Sequence, residues 1–366
     1  MLYPRVTRRT FVTAGSLAAR GFARPYWHSH HGSPTRSIPP VNEAAARRLT
    51  PEEVQSIREI AERLQASVER VIVGKTDVVR LALVALLCEG HILLEDVPGI
   101  GKTMLAKSIA RSLGCSFRRI QFTPDLMPSD ITGINYYNQK IGEFVFREGP
   151  LVAQVVLADE INRATPRTQA ALLEAMEERQ LTVEGVTLPL PRPFLVVATQ
   201  NPVELEGTFP LPEAQLDRFL VRLKLGYPDE ADEDEILLRF ETSNPLDSLT
   251  PVVDGEELLR LAEALRHLHV DPGVRSYAVR IVRETRKDPA FELGASPRAS
   301  LALFRSSRAY AALAGRDYVL PDDVKAMAQY VLPHRLILST QARLRGREAD
   351  EILADILARV PVPIEG

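Results

Sequence analysis

The sequence predicts an α/β core, a parallel sheet between helices, followed by a smaller all-α domain. Three observations carry that expectation. Short apolar runs suited to strands buried on both faces occur at Ile92–Leu94, Val155–Ala158 and Phe194–Ala198. The segments between them repeat apolar residues at helical spacing, and strands that alternate with helices imply a parallel sheet. Past Pro228 the strand signal stops, and helix starts follow one another.

Each element follows in turn. Thr50-Pro51-Glu52-Glu53 reads as a helix start, with a capping threonine, proline in the first turn and acids after it. Val54, Ile57, Ile60, Ala61 and Leu64 continue it at helical spacing. Val71–Gly74 breaks the pattern, and a very apolar helix runs from about Asp77 to Cys88. Ile92–Glu95 is a buried strand, and the turn after it leads into a helix that buries Leu105, Ile109 and Leu113. Phe117–Phe122 alternates as a second strand. Ile134–Asn138 and Glu143–Arg147 flank Lys140-Ile141-Gly142, which predicts a hairpin projecting from the sheet. Thr165-Pro166 starts a helix reaching about Gln180, and Leu181–Leu188 predicts a second hairpin. Phe194–Thr199 is the third buried strand and Leu220–Leu225 a shorter one. Helices then start near Asp229, Asp254, Pro272, Ser296-Pro297 and Pro321-Asp322, with no further strand expected. The boundaries expected are an extension over 1–48, the α/β core over 49–227 and the helical domain over 228–366.

Composition narrows the function. A net charge of −3 offers no global basic field for nucleic acid. Cys88 and Cys115 are the only cysteines, which excludes a disulfide framework and suits a reducing compartment. No apolar run approaches the length of a membrane span. The first fifty residues are rich in Arg, Pro, Ser and His without helical or strand period. Thr7-Arg8-Arg9-Thr10-Phe11-Val12 is similar to a twin-arginine export signal, but the apolar stretch after it is short and interrupted by Arg20. An unstructured, dispensable extension is the expectation there.

The chemistry centres on Asp96-Val97-Pro98-Gly99-Ile100-Gly101-Lys102-Thr103. A strand, a Gly/Pro turn and Lys-Thr opening a helix build a phosphate cradle, because backbone N–H groups and the helix dipole point at the anion. Lys102 would reach the β- and γ-phosphates and Thr103 would hold Mg²⁺. The P-loop pattern G-x-x-x-x-G-K-[ST] requires glycine where this chain has Asp96. A second Gly-Lys-Thr, at Gly74–Thr76, follows no such strand and turn and is set aside. Downstream, Val155–Ala158 ends in Asp159-Glu160. The C-terminal ends of parallel strands are where ligands sit in open α/β sheets. Asp159 would bind Mg²⁺, and Glu160 would orient and deprotonate the attacking water.

Further residues follow from strand order. Thr199-Gln200-Asn201-Pro202 ends the third buried strand, where Asn201 would position the water, the bland reading being an Asn-Pro turn. Arg218, just before the last strand, is either an arginine finger for a neighbouring subunit or a surface partner of Asp217 or Glu213. Arg298 in Ser296-Pro297-Arg298-Ala299 opens a lid helix that would fold over the nucleotide. A cation at a helix N-terminus opposes the dipole, so an anion is expected beside it. Arg163 is a weaker candidate for a contact between subunits.

These elements in this order resemble an AAA+ ATPase, specifically the MoxR family, from about Leu49 to the C-terminus. The stretches that carry the resemblance are Leu94–Thr103, Gln121–Leu126, Asp159–Ala164, Ala198–Pro202 and Leu211–Phe219, with Ser296–Ser300 and Val331–Arg335 in the lid. Asp96 in place of the first glycine also occurs in that family. The resemblance implies an AAA+ P-loop NTPase core with an α-helical lid, assembled as a ring, usually a hexamer. It implies ATP and Mg²⁺ as cofactors. Pro98, Gly99, Ile100, Gly101, Lys102, Thr103 and Met104 would hold the phosphates, and Val73 and Gly74 would line the adenine pocket. Asp159 and Glu160 carry over as Walker B, Asn201 as sensor 1, Arg218 as the arginine finger and Arg298 as sensor 2 in the same protomer as Lys102. The two hairpins would face the pore or the client. Family members act as chaperone-like ATPases on protein complexes, often with a partner carrying a von Willebrand factor A domain.

A cytoplasmic enzyme is expected, since ATP is scarce elsewhere. A nucleic-acid motor is disfavoured because the hairpin tips, Gln139–Gly142 and Glu184-Gly185, are nearly uncharged or acidic. A scaffold that binds ATP with little turnover is disfavoured by Glu160, which mere binding does not need. A GTPase is disfavoured because no Asn/Thr-Lys-x-Asp guanine reader follows the last strands.

Overall fold

Thr50 caps the first helix, α1 (Pro51–Glu69), reciprocally: its hydroxyl accepts the Glu53 N–H at 3.3 Å while the Glu53 carboxylate accepts the Thr50 N–H at 2.9 Å. The computed structural model describes residues 47–201 and 207–363. The extension with its twin-arginine-like segment, and Pro202, lie outside the described residues.

The chain continues through α2 (Thr76–Leu87), β1 (Ile92–Glu95), α3 (Lys102–Ser112) and β2 (Phe117–Gln121). Next come α4 (Pro128–Thr132), β3 (Gly133–Asn138), β4 (Glu143–Glu148), β5 (Val155–Asp159) and α5 (Pro166–Glu178). β6 (Gln180–Val183), β7 (Val186–Pro189), β8 (Leu195–Gln200), α6 (Glu213–Leu216) and β9 (Val221–Leu223) complete the sheet-bearing part.

The main sheet has the order β2-β5-β8-β1-β9, with every pair parallel. The two-residue side-chain period splits each strand between two apolar cores. Ile92, Leu94, Val155, Leu157, Val197 and Val221 pack to one side, with α1, α2 and α3. Leu93, Val156, Ala158, Val196 and Ala198 pack to the other, with α5. Register aligns the chemistry, since Gln121 pairs with Asp159 and Glu95 with Gln200 at the C-terminal edge.

Both expected hairpins form, as two-stranded sheets of their own, β3–β4 and β6–β7. Asn135 Nδ2 donates to Glu184 Oε2 across them at 2.8 Å. The first hairpin exposes Ile134, Tyr136, Tyr137, Ile141 and Phe144.

Beyond it lie α7 (Glu230–Phe240), α8 (Gly255–Ala264), α9 (Pro272–Thr285), β10 (Phe291–Leu293), α10 (Pro297–Leu313), α11 (Pro321–Val331), β11 (Ile337–Leu338), α12 (Thr340–Leu344) and α13 (Ala349–Arg359). The antiparallel pair β10–β11 corrects the expectation of no further strand, and α12 and α13 add two helices not foreseen. All described residues belong to one compact unit. The helical part is fastened to the core by buried Arg335. Its Nε donates to Asp217 Oδ1 at 2.7 Å, and its other nitrogens donate to the carbonyls of Phe219 and Leu220 at 2.6 and 3.2 Å. No helix among the described residues is long and apolar enough to cross a membrane.

Candidate active site

The C-terminal edge of the sheet gathers the expected site. Between β1 and α3 the loop places Gly99 and Gly101 in left-handed backbone, at φ +88° and +95°. A Cβ on either would meet no protein atom within 4 Å, so within the protein it is the backbone angle that calls for glycine. Gly101 caps α3, whose first N–H groups have no intrahelical acceptor and suit an anion. Lys102, Thr103 and Met104 form the first turn, half-buried, behind exposed Pro98 and half-buried Ile100.

Lys102 Nζ donates to the Asp96 carbonyl at 2.6 Å. Burial lowers its pKa, while the carboxylates of Asp159, Asp96 and Glu160 pull it back up. Asp96, the departure from the P-loop pattern, has bonds that glycine cannot make. Its carboxylate accepts the Val97 N–H at 2.9 Å and the Gly226 N–H at 2.7 Å, tying the loop to the segment after β9.

Val73 and Gly74 lie in the turn between α1 and α2, and this turn meets the same segment. Lys75 Nζ donates to the Tyr227 carbonyl at 2.9 Å. A Cβ on Gly74 would stand 1.7 Å from an Asp232 carboxylate oxygen of α7.

Asp159 ends β5. Its Oδ1 accepts the Thr199 hydroxyl at 2.6 Å, and that hydroxyl accepts the Glu160 N–H at 2.8 Å. Its Oδ2 accepts Arg119 Nη2 at 2.6 Å. Glu160 holds a left-handed backbone at φ +57°, unusual outside glycine and frequent at functional sites. Its Oε2 accepts Gln121 Nε2 at 2.8 Å and pairs with Arg163 Nε at 3.1 Å. Arg119 in turn donates to Gln121 Oε1 at 2.7 Å. Asn201, buried, follows β8 on the same edge. Arg119, Gln121 and the Thr199 hydroxyl were not among the expected residues. Strand alternation alone puts Arg119 and Gln121 on one face, but only the sheet order places that face beside Asp159.

The donors fit magnesium. Thr103 and Asp159 offer hard oxygens near Lys102. Among the described residues no group of three or more His, Cys, Asp or Glu could hold a metal. An ion here would therefore take further ligands from phosphate oxygens and water, which is magnesium's habit.

The two remaining arginines sit elsewhere. Arg218 Nη1 donates to the Leu173 carbonyl, with no carboxylate at ion-pairing distance among the described residues. The alternative of a salt bridge to Asp217 or Glu213 does not form, because Asp217 is engaged by Arg335 and by the Ser296 hydroxyl at 3.3 Å. Arg298 pairs with Glu177 of α5, which supplies the anion expected at this helix start. Both arginines line one cavity with Gly90, His91 and Leu220, the residues that precede β1 and β9. At about 3.3 Å per strand residue, Gly90 and Glu95 stand roughly 16 Å apart. Arg298 thus stands at the edge of the sheet away from Lys102 of its own protomer, whereas the expectation set it over the nucleotide. The Arg335 clamp seats the helical part at the N-terminal edge of the sheet, and Arg298 goes with it.

At that edge His91 is buried between Val196 N–H, which donates to Nδ1 at 3.0 Å, and the Met176 carbonyl, 3.1 Å from Nε2. Burial pushes its pKa down to about 4.

Two families match the chain in sequence. The family described as "ATPase family associated with various cellular activities (AAA)" matches residues 91–221, and "AAA lid domain" matches 283–356. YeaC of Bacillus subtilis is 51% identical over 298 residues, 81% of this chain and 93% of that protein. Chaperone MoxR1 of Mycobacterium tuberculosis is 44% identical over 348 residues, 93% of this chain and 88% of that one. A crystal structure from Cytophaga hutchinsonii, described as a candidate ATPase, superposes with a TM-score of 0.80 at 38% identity, covering 86% of this chain and 98% of that one.

Proposed function

The chain belongs to the MoxR family of AAA+ ATPases, and on that premise we propose that it hydrolyses ATP in a ring of identical subunits and acts as a chaperone on a protein client. The observation that supports this most is the convergence of Lys102 with Asp159 and Glu160 at one sheet edge.

Lys102 exchanges the Asp96 carbonyl for phosphate oxygens, and the loop N–H groups cradle the β-phosphate. Thr103 and Asp159 would hold magnesium, which would neutralise phosphate charge. Glu160, oriented by Gln121 and Arg163, accepts the proton of the attacking water, and Asn201 positions that water. Val73 and Gly74 border the adenine. Arg218 lies at the opposite edge and has no carboxylate partner among the described residues, so it serves the nucleotide of the neighbouring protomer. Arg298, on the same edge, serves the same neighbour. An arginine supplied this way is worth roughly 10³–10⁵ in rate.

The exposed apolar side chains of the β3–β4 hairpin suit contact with a protein rather than a phosphate backbone. The name of the relative Chaperone MoxR1 agrees. A von Willebrand factor A domain partner and a cytoplasmic setting belong to the proposal through the family resemblance.

The test is an ATP-binding and turnover assay with magnesium. Glu160→Gln should bind ATP as the parent does and lose turnover by at least about 100-fold, as removal of a general base does. Undiminished turnover would remove Glu160 from its role, and stimulation by DNA that fades with salt would favour a nucleic-acid motor.

A further inference from the structure

We propose that the outward stripe of α7 on one protomer docks into an arginine-lined cavity on the next, an inference that rests on the ring reading. The helix has no buried residue along its length. Glu230, Glu233, Asp234, Leu237, Leu238 and Glu241 recur at i, i+3, i+4, i+7, i+8 and i+11, and all are exposed, Leu237 at 71% and Leu238 at 62%. A helix this short is held by the apolar face it buries, and the apolar end of this stripe is bare. None of its four carboxylates pairs with a described residue.

The complementary surface is a cavity of about 760 Å³ between the end of α2 and the helices α8 and α10. Five arginines line it, Arg179, Arg192, Arg266, Arg305 and Arg308, against the single acid Glu89. Arg179 and Arg192 share Glu89 at 2.5 and 2.6 Å, and Arg266 pairs with Glu263 at 3.1 Å. Arg305 and Arg308 have no carboxylate partner among the described residues. Arg308 lies over the Phe304 ring at 4.3 Å, and its Nε is buried without an acceptor. Uncompensated cations in a partly buried cavity call for an anion. Leu265, Leu301 and Phe304 provide apolar wall beside them.

Placement favours a second copy of this chain as the occupant. The cavity shares Glu89, Arg179, Leu301 and Arg305 with the one that Arg218 lines. On the other side of the protomer, α7 adjoins the nucleotide edge through Asp232 at Gly74. Seating Arg218 of one protomer at Lys102 of the next therefore brings the arginine cavity to the neighbour's α7. The contact is head-to-tail, the kind that closes into a ring.

Sedimentation velocity with a non-hydrolysable ATP analogue and magnesium tests it. The parent chain should assemble. Glu233→Arg with Asp234→Arg, and separately Arg305→Glu with Arg308→Glu, should each weaken assembly by roughly tenfold or more, and the four changes together should restore it. Nucleotide binding by the dissociated protomers should stay unchanged. A parent chain that stays monomeric overturns both this contact and the ring. A parent that assembles, with reversed variants that assemble equally well, overturns the contact alone and leaves the cavity to an acidic client or a small anion. Two weakened variants whose combination does not recover overturn the pairing of these two surfaces.

Discussion

Lys102 stands under opposing pressures, and its neighbours resolve them. Burial disfavours its charge, and three carboxylates nearby restore it. Asp96 contributes through its charge and through its carbonyl, while its carboxylate pins the loop to Gly226. Asp96→Gly, which completes the P-loop pattern, should therefore destabilise the protein by about 1–3 kcal/mol through the lost hydrogen bonds to a charged acceptor, read as a lower denaturant midpoint. An unchanged midpoint would show that the ties carry no weight. His91 gives a pH prediction. Its folded pKa is about 4 against the usual 6.5, so the unfolded chain takes up the proton first as pH falls. Its contribution is complete above pH 6.5 and is lost as pH falls toward about 4, roughly 3 kcal/mol in all. Denaturant unfolding at neutral and mildly acidic pH checks this, and a His91→Asn variant should lose that part of the slope. The positions of Asp159, Glu160 and Asn201 were legible because each follows from the end of an apolar strand, and those of Lys102 and Thr103 because a Gly/Pro turn leads from such a strand into a helix. Arg119 and Gln121 were not, because their partners depend on β2 lying next to β5, which no local pattern encodes.

Elements were legible where a start signal met a sustained period. Thr50-Pro51, Thr165-Pro166 and Ser296-Pro297 each open a helix of three turns or more, α1, α5 and α10. Both hairpins followed from alternation around a Gly-containing turn. Most of the elements missed are too short to show a period: α4 and α12 have five residues each, β10 three and β11 two; α13, with eleven, is the exception. The seat of the helical part was also not legible, because it depends on side chains far apart in sequence, among them Arg335 on Asp217, His334 on the Phe219 carbonyl and Arg222 on Asp350. Arg335, with 3% of its side chain exposed, meets Asp217 of the core. Asp217→Ala leaves that cation buried without its partner and should cost about 3–5 kcal/mol, read by equilibrium unfolding. A loss under 1 kcal/mol, in the range of an exposed pair, would show that the clamp does not hold the two parts together.

At the scale of the whole molecule the sheet has two chemical ends. Its C-terminal edge carries the phosphate loop and the acids, and its N-terminal edge carries Arg218 and Arg298. Under the proposed ring reading, these two ends are the two halves of one site, completed only against another copy. Glu160→Gln and Arg218→Ala protomers, each inactive alone, should regain ATPase activity when mixed, because some interfaces then carry both intact groups. A mixture as inactive as its components would place the finger elsewhere. The two-ended arrangement became visible only once strand direction was known, which is why Arg298 was expected over its own nucleotide. The most direct test is equilibrium binding of ATP with magnesium to a folded Lys102→Ala variant. Affinity should fall at least about 100-fold, as expected for a charge-assisted contact worth roughly 3 kcal/mol, and turnover should vanish. A variant that binds and hydrolyses ATP like the parent would contradict the account.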